Sequence, residues 1–285
     1  MKGDKPVVNQ RLSYDVSGAQ KSHWVTRLTG MTKILVLLSL SIIGMVSYDT
    51  WYLVALTIFA IIFYQSAHFR WHQVRGLLYA IAAFTALNLA LVYVFNPAYG
   101  SQIYGTSHVL LGHGFFVLTW EELFYLLNML LKYVFIVPLI LAFLFTTNPS
   151  ELASGMNRIG FSYKISYAVE LSLRYIPDVI RDFKQISLAQ QARGLEMSKK
   201  AGIWKRLKRS TQILIPLAFS SMNKIEVTTR AMKLRRFGTN KHRTWYMAQK
   251  LAKIDYFVLI VTVLLIMIGI GLFWVDGGRF YNPFR

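Results

Sequence analysis

Two stretches of the sequence place arginine beside small or helix-ending residues, a pattern suited to binding an acidic group. The first is Ala192-Arg193-Gly194, and the second lies within Arg230-Ala-Met-Lys-Leu-Arg-Arg-Phe-Gly238. A guanidinium on a rigid helix end can bind a carboxylate through two parallel hydrogen bonds, which the ammonium of lysine cannot do. Arginine in the last turn of a helix is also favoured by the helix dipole, by about 0.3–1 kcal/mol. The pattern alone therefore leaves two interpretations open, docking to an acidic partner and ordinary helix capping.

Both arginine motifs are expected at the ends of long helices. Apolar residues recur every three or four positions between residues 165 and 186, with charged residues among them, which predicts an amphipathic helix over residues 163–193. Pro177 would be tolerated there at a kink or at a new first turn. Gly194 follows, and glycine most easily adopts the left-handed conformation that ends a helix. The later basic stretch repeats this plan and is predicted to end at Gly238.

The composition indicates an integral membrane protein. Hydrophobic residues make up 54% of the chain, yet the net charge is +19, so apolar and basic residues must occupy separate segments. A helix needs about 20 mostly apolar residues to cross a bilayer. The sequence predicts five spans, at residues 34–48, 51–67, 77–95, 123–146 and 256–274. The first two are short and closely joined, so they are expected to form a tight hairpin or to pack against protein.

The distribution of Lys and Arg predicts which side of the membrane each segment faces, because basic residues favour the cytoplasmic side of short loops. Segment 1–33 and the link after the second span are basic, whereas the turns after the first and third spans contain no Lys or Arg. We therefore expect the N-terminus and region 148–253 in the cytoplasm, and the tail 276–285 outside. Segment 1–33 lacks the apolar core of a cleaved secretory signal. The chain has no cysteine, which excludes disulfides and thiolate metal ligands.

An ordered series of motifs resembles one known family. The series consists of Thr146-Thr-Asn-Pro-Ser-Glu-Leu152, Leu173-Arg-Tyr-Ile-Pro177, Ala189-Gln-Gln-Ala-Arg-Gly194, Arg206-Leu-Lys208, Ile215-Pro-Leu217 and Arg230-Ala-Met-Lys-Leu-Arg-Arg-Phe-Gly238, with Leu28-Thr-Gly-Met-Thr-Lys33 before the first span. It is similar to the transmembrane T component of energy-coupling factor (ECF) transporters, the EcfT/CbiQ family, from about residue 24 to residue 257. The ordered series is far more specific than either arginine motif alone.

The resemblance implies a scaffold that links two cytoplasmic ABC-type ATPases to a small membrane protein, the S component, which binds a vitamin or a metal ion. The expected fold is an all-α integral membrane protein of about five transmembrane helices plus long cytoplasmic coupling helices, in the plasma membrane of a prokaryote. The expected domains are a cytoplasmic N-terminal segment (1–33), transmembrane helices 1–4 (34–147), a coupling-helix region (148–253), and a C-terminal transmembrane helix with a tail (254–285).

The resemblance also assigns the residues that would couple the chain to the ATPases. By position, the first motif is Ala192-Arg193-Gly194, and the second is Leu234-Arg235-Arg236, where the family more often has Ala-Arg-Gly. The departures at Lys233, Leu234 and Arg236 leave the guanidinium of Arg235 in place and add positive charge. Whether Arg235 or Arg236 is the second coupling arginine stays open at this point.

Other features have simpler interpretations. The chain has no phosphate-binding loop of the Gly-x-x-x-x-Gly-Lys-Ser/Thr kind, so we expect no catalytic residue and no cofactor, and ATP hydrolysis by partner chains. His68 and His72 are expected at a membrane interface rather than in a metal site. His108 and His113 lie in an outer loop, 96–120, that is expected to be irregular. The basic run 199–209 is expected to set the topology and to contact anionic lipid, with contact to an ATPase as the second interpretation, and nucleic-acid binding is not expected.

A self-contained secondary transporter or a membrane enzyme remains the alternative. Lys132 is the lone charge near the middle of a predicted span, so the sequence lacks the array of intramembrane charges typical of an ion pathway. The third span carries a stripe of small residues that would allow close helix packing, either against an S component or within this chain. The stripe consists of Ala80, Ala83, Ala86 and Ala90.

Overall fold

The computed structural model describes residues 24–67, 71–111, 117–194, 203–239, 244–245, 248–275, 278, 280–281 and 283. The chain divides into two compact units. We call Leu152–Ala248 the paired-helix unit and Val16–Glu151 with Gln249–Arg285 the apolar unit. Five predicted features lie wholly or mostly outside the described residues: segment 1–23, His68, His113, residues 199–202 of the basic run and the tail 276–285.

The described residues are mainly helical. In chain order, the helices are α1 (Gly30–Val46), α2 (Thr50–Gln65), α3 (Trp71–Phe95), α4 (Tyr99–Tyr104), α5 (Trp120–Thr146), α6 (Pro149–Ile159), α7 (Tyr163–Ala192), α8 (Ile203–Leu234) and α9 (Lys253–Val275). Strands β1 (Val109–Leu111) and β2 (Leu118–Thr119) form a short antiparallel hairpin between α4 and α5.

The apolar helices agree with the five predicted spans. Residues Val74–Phe95 of α3, the whole of α5 and the whole of α9 are long and apolar enough to cross a membrane. Helices α1 and α2 are apolar but shorter, with 17 and 16 residues. The prediction of an all-α integral membrane protein with five apolar helices and two further long helices is therefore confirmed.

The core of the apolar unit lies where α1, α2, α5 and α9 meet. Leu40, Leu56, Phe135 and Val258 belong to one buried cluster of side chains from these four helices. The two short helices are joined by residues 47–49, and the Asp49 carboxylate accepts hydrogen bonds from the first backbone N–H groups of α2. They form a hairpin that packs on α5 and α9, as expected for helices this short.

The described residues of loop 96–120 are more ordered than the expected irregular chain. Glu121 accepts hydrogen bonds from the backbone N–H and the ring Nδ1 of His108, the latter at 2.8 Å. Glu122 accepts one from the backbone N–H of Gly100 at 2.6 Å. Both glutamates are fully buried. Two acids at the start of α5 thus hold α4 and the hairpin in place, a set of contacts that the spacing of residues in the sequence does not encode.

The paired-helix unit consists largely of α7 and α8. Pro177 lies inside α7, which continues on both sides of it, so no new helix begins there. The Tyr175 hydroxyl is 2.7 Å from the Thr228 hydroxyl, and Lys224 forms an ion pair with Asp182. Because positions that rise along α7 meet positions that fall along α8, the two helices are antiparallel.

Candidate functional site: two arginine-bearing helix ends

The first arginine motif ends α7 as predicted. Arg193 is the C-cap residue, and its backbone N–H is 3.3 Å from the Ala189 carbonyl and 3.1 Å from the Gln190 carbonyl. Gly194 has φ +89°, in the left-handed region that favours glycine, and its N–H donates to the Gln191 carbonyl. Arg193 is exposed, and a Cβ added at Gly194 would meet no described atom within 4 Å.

The second motif ends α8 in the same way, except that arginine replaces glycine at the left-handed position. The backbone N–H of Arg235 donates to Ala231, that of Arg236 to Lys233 and that of Phe237 to Met232, at 3.1, 3.0 and 3.0 Å. This pattern is a Schellman motif, in which the residue after the C-cap is left-handed. That residue is Arg236, with φ +53°.

The two motifs therefore correspond residue by residue in their backbone geometry. Arg193 and Arg235 are both C-cap residues, and Gly194 and Arg236 both occupy the left-handed position. The expected helix end at Gly238 was two residues late, because the chain already leaves the helix at Arg236. A non-glycine residue in this conformation is disfavoured by about 1–2 kcal/mol, so the identity of residue 236 is not set by local backbone preference.

Aromatic packing fixes the second helix end. The Phe237 ring lies 5.7 Å from the ring centroid of Tyr163 and 4.6 Å from that of Tyr167, in the first turns of α7. Trp245 also packs on Tyr163, at 5.0 Å, and its indole N–H donates to Asn157 at 3.0 Å. Contacts of Phe237 and Trp245 thus hold the chain that follows Arg236 against the start of α7.

The two arginine ends lie at opposite ends of the antiparallel pair. The α8 end packs beside the start of α7, whereas Arg193 lies where α7 finishes. A helix rises about 1.5 Å per residue, so the 30 residues of α7 separate the two ends by roughly 45 Å. Two guanidinium groups at this spacing can bind two separate acidic sites, but they cannot act on one small molecule.

The apolar faces of both helices are exposed. Side chains of the predicted amphipathic stripe in α7 are partly or largely accessible, and α8 shows the same property. Examples are Ile176 (49% exposed), Ile180 (44%), Phe219 (63%), Met222 (63%) and Ile225 (60%). Monomeric soluble proteins rarely leave a contiguous apolar surface of this kind uncovered.

A buried polar cluster joins two of the sequence motifs in the apolar unit. The Lys33 ammonium, whose side chain is 0% exposed, donates to the Thr146 carbonyl at 2.8 Å and lies 3.5 Å from the Glu151 carboxylate. Asp255 accepts hydrogen bonds from Thr29 N–H at 2.9 Å and Ala252 N–H at 2.8 Å. We call these residues the anchor cluster.

The anchor cluster includes residues that are close in sequence to both boundaries of the apolar unit. Glu151 is the last residue before the paired-helix unit, and the chain returns to the apolar unit at Gln249, a few residues before Asp255. Backbone packing is equally close, since a Cβ added at Gly30 would lie 2.1 Å from the Glu151 carbonyl oxygen. Sequence reasoning did not identify Asp255, although an acid in the first turn of a helix is favoured by the dipole and so gave a weak signal.

The other candidates from the sequence are Lys132, the alanine stripe of α3 and His108. Lys132 is buried, and its ammonium donates to the Met45 carbonyl at 2.6 Å and lies 3.1 Å from the ring centroid of Tyr48, so it caps the end of α1. The alanine stripe of α3 is exposed. His108 binds Glu121, as described above. Among the described residues, no group of three or more His, Cys, Asp or Glu could hold a metal ion.

Comparison with known proteins supports the resemblance. The family model of CbiQ, described as cobalt transport protein, matches residues 21–246. The energy-coupling factor transporter transmembrane protein EcfT of Bacillus selenitireducens is 35% identical over 109 residues, which is 35% of this chain and 40% of that protein. EcfT of Lactococcus lactis is 30% identical over 173 residues, which is 56% of this chain and 65% of that protein.

A longer match at lower identity points the same way. EcfT of Limosilactobacillus fermentum is 25% identical over 202 residues, which is 68% of this chain and 71% of that protein. The chain thus covers less than two thirds of the Bacillus and Lactococcus relatives, at 40% and 65% of their length. The family match takes in most of the chain, including both arginine-bearing helix ends. The chain therefore belongs to the CbiQ family and is a transmembrane T component of the energy-coupling factor type.

Proposed function

We propose that this chain is the scaffold and coupling subunit of an ECF importer, which passes motion from two cytoplasmic ABC-type ATPases to a substrate-binding S component. One observation carries the proposal: two equivalent arginine-capped helix ends lie at opposite ends of one antiparallel helix pair. Ordinary capping accounts for a single arginine at a helix end. It does not account for the same exposed arrangement at two ends placed roughly 45 Å apart.

Each helix end would bind one ATPase. Arg193 and Arg235, the C-cap arginines, would each bind a carboxylate in a groove of one ATPase, with Ala192 and Gly194 at the first end and Leu234 and Arg236 at the second. Binding and hydrolysis of ATP in those partners would change the distance between the two grooves. Because the Tyr175–Thr228 and Asp182–Lys224 contacts link α7 to α8, displacement of one helix end would be passed to the other helix.

The exposed apolar surfaces suit a membrane partner. We assign the apolar faces of α7 and α8, together with the alanine stripe of α3, to contact with a small membrane S component. Within the described residues, the stripe is not covered by this chain, which disfavours packing of the stripe within the chain itself. Movement of α7 and α8 would then tilt the S component, and the substrate that it holds would be released inward. A vitamin or a metal ion is the proposed substrate class.

The proposed topology follows the charge distribution. The N-terminal segment 1–33 and the region 148–253 would be cytoplasmic, the spans would lie in 34–147 and 254–285, and basic residues of 199–209 would contact anionic lipid. The chain itself would be non-catalytic and would need no cofactor. Lys132 gives no reason to prefer a self-contained transporter, because its ammonium is used within the chain.

The decisive experiment reverses both docking charges. Arg193→Glu with Arg235→Glu should abolish ATP-driven uptake and release both ATPases, while the chain still inserts in the membrane. A matched control is Arg181→Glu, which reverses an exposed arginine in the interior of α7, paired with Asp178 rather than placed at a helix end. The control should retain the ATPases and uptake.

Purification of the tagged wild-type chain in mild detergent, with identification of every co-purifying protein, completes the test. Recovery of ABC-type ATPases and a small hydrophobic protein is the expected result. Normal uptake and normal ATPase association in the double variant would refute docking through these arginines, and the helix ends would then be caps alone.

A further inference from the structure

The left-handed residue of the second helix end differs from its counterpart in a way that local structure does not explain. Gly194 and Arg236 occupy equivalent positions, with φ +89° and +53°. Glycine is the residue that suits this conformation, and a bulky side chain there is strained. Within the part of the chain that the structure describes, the Arg236 side chain forms no ion pair, and the residue is exposed. The chain therefore keeps a strained arginine from which its own described fold gains no ion pair.

The surroundings of Arg236 hold its backbone in place. The Thr239 hydroxyl donates to the Arg236 carbonyl at 2.9 Å, and Arg236 N–H donates to Lys233. Phe237, the next residue, packs on Tyr163 and Tyr167. A guanidinium attached to a fixed backbone loses less freedom on binding than one on a mobile loop. The backbone that carries Arg235 and Arg236 is thus already ordered before a partner binds.

From this arrangement we infer that Arg236 is a second contact with the ATPase that takes Arg235, and that the groove of this ATPase presents a second carboxylate to it. The inference rests on the proposed function and deepens it. The first helix end carries Arg193 followed by glycine, so its partner groove needs only one carboxylate and approaches the backbone more closely. The two grooves served by this chain accordingly differ in charge, and the α8 end binds the more acidic one.

The test measures how the two ATPases stay bound to the complete complex as salt is raised. The complex purified from native membranes is immobilised through the tagged chain, and retained ATPase is quantified from low to high NaCl. Arg236→Gly should weaken retention of the ATPase at the α8 end by about tenfold at low salt, with a shallower salt dependence, because one interfacial charge pair is lost. Arg236→Lys should recover part of the loss. The ATPase at the α7 end should be unaffected.

Two controls separate this inference from misfolding and from the proposed function. Arg236→Gly should unfold at the wild-type temperature or above it, since glycine relieves the strained backbone. Lys233→Gln removes an exposed charge one turn earlier and should leave retention unchanged. If Arg236→Gly retains both ATPases with the wild-type salt dependence while Arg235→Glu releases one, Arg236 has no partner role and the inference is wrong. If Arg193→Glu with Arg235→Glu also retains both, the proposed function fails as well.

Discussion

Ionic groups are used in opposite ways in the two units. In the apolar unit, Lys33 and Asp255 are buried, and each meets several partners supplied by the same chain. In the paired-helix unit, Arg193, Arg235 and Arg236 are exposed at helix ends. A buried charge must be paired, because an unpaired charge in a low-dielectric interior is strongly destabilising. Exposed charges carry no such requirement.

Buried and exposed charges therefore have different expected roles in this protein. Residues of the anchor cluster join α1 to Glu151 and to the start of α9 within the apolar unit, and their loss should damage the fold. Replacement of the exposed arginine side chains at the helix ends is expected to damage assembly more than the fold. The predictions below test this difference. They are measured as the free energy of unfolding of the purified chain in detergent, followed by tryptophan fluorescence, except for Phe237→Ala, which is measured by hydrogen exchange.

The largest effect is expected from Lys33→Met. This substitution removes the ammonium that lies 3.5 Å from the Glu151 carboxylate, whose side chain is 9% exposed. Breaking a buried pair on one side typically lowers stability by about 3–5 kcal/mol. The double variant Lys33→Met with Glu151→Leu should recover much of the loss, because the Glu151 carboxylate is then no longer buried beside an apolar side chain, while the buried Asp255 carboxylate is present in both variants.

Lys224→Met is the matched control in the paired-helix unit. Its ion pair with Asp182 is similar in kind, but the Lys224 side chain is 44% exposed. Surface pairs contribute about 0–1 kcal/mol, so the loss should be small. Equal losses in Lys33→Met and Lys224→Met would contradict the distinction between anchoring and exposed charges.

Gly30→Ala should have the next largest effect. The new Cβ would lie 2.1 Å from the Glu151 carbonyl oxygen and 2.7 Å from its carbon, so backbone must move. Overpacking of this kind destabilises by about 1–3 kcal/mol. Gly76→Ala is the control, because no atom lies within 4 Å of a Cβ there and alanine favours the helix. A loss in Gly76→Ala as large as in Gly30→Ala would argue against a close contact at Glu151.

The features predicted correctly from sequence are local. Apolar runs mark all five apolar helices to within a few residues, since burial in a bilayer depends on a continuous stretch of side chains. Gly194 marks the end of α7 because the left-handed conformation favours glycine at that one position. The end of α8 was placed too late for the same reason, since Gly238 follows an arginine that already takes this conformation.

The features that sequence reasoning missed are distant contacts. Thr29 and Asp255 are 226 positions apart, and nothing in the spacing of either residue names the other. The buried pairing of Glu121 with His108 and of Glu122 with Gly100 is of the same kind. Lys33 and Glu151 were both included in motifs quoted for the family resemblance, but their mutual contact required the folded chain.

Phe237→Ala tests whether the second helix end is fixed by aromatic packing. Loss of the contacts with Tyr163 and Tyr167 should destabilise this end by about 1–2 kcal/mol, because the ring is half-buried. Faster hydrogen exchange in the last turn of α8 is the expected signal. Phe219→Ala, at a side chain that is 63% exposed on the same helix, should leave that exchange unchanged. Wild-type exchange in Phe237→Ala would mean that the aromatic contacts do not order the arginine end.

The smallest effect is expected from Tyr175→Phe, which removes the hydroxyl that lies 2.7 Å from the Thr228 hydroxyl. A single hydrogen bond contributes about 0.5–1.5 kcal/mol. If the two hydroxyls stabilise the pairing of α7 with α8 only through each other, Thr228→Val should cost a similar amount, and the double variant should cost no more than either single one. Additive losses would instead show that the two hydroxyls act independently. Transmission along the helix pair would then depend on Lys224–Asp182 and the aromatic contacts, and Tyr175→Phe should leave uptake per ATP hydrolysed unchanged.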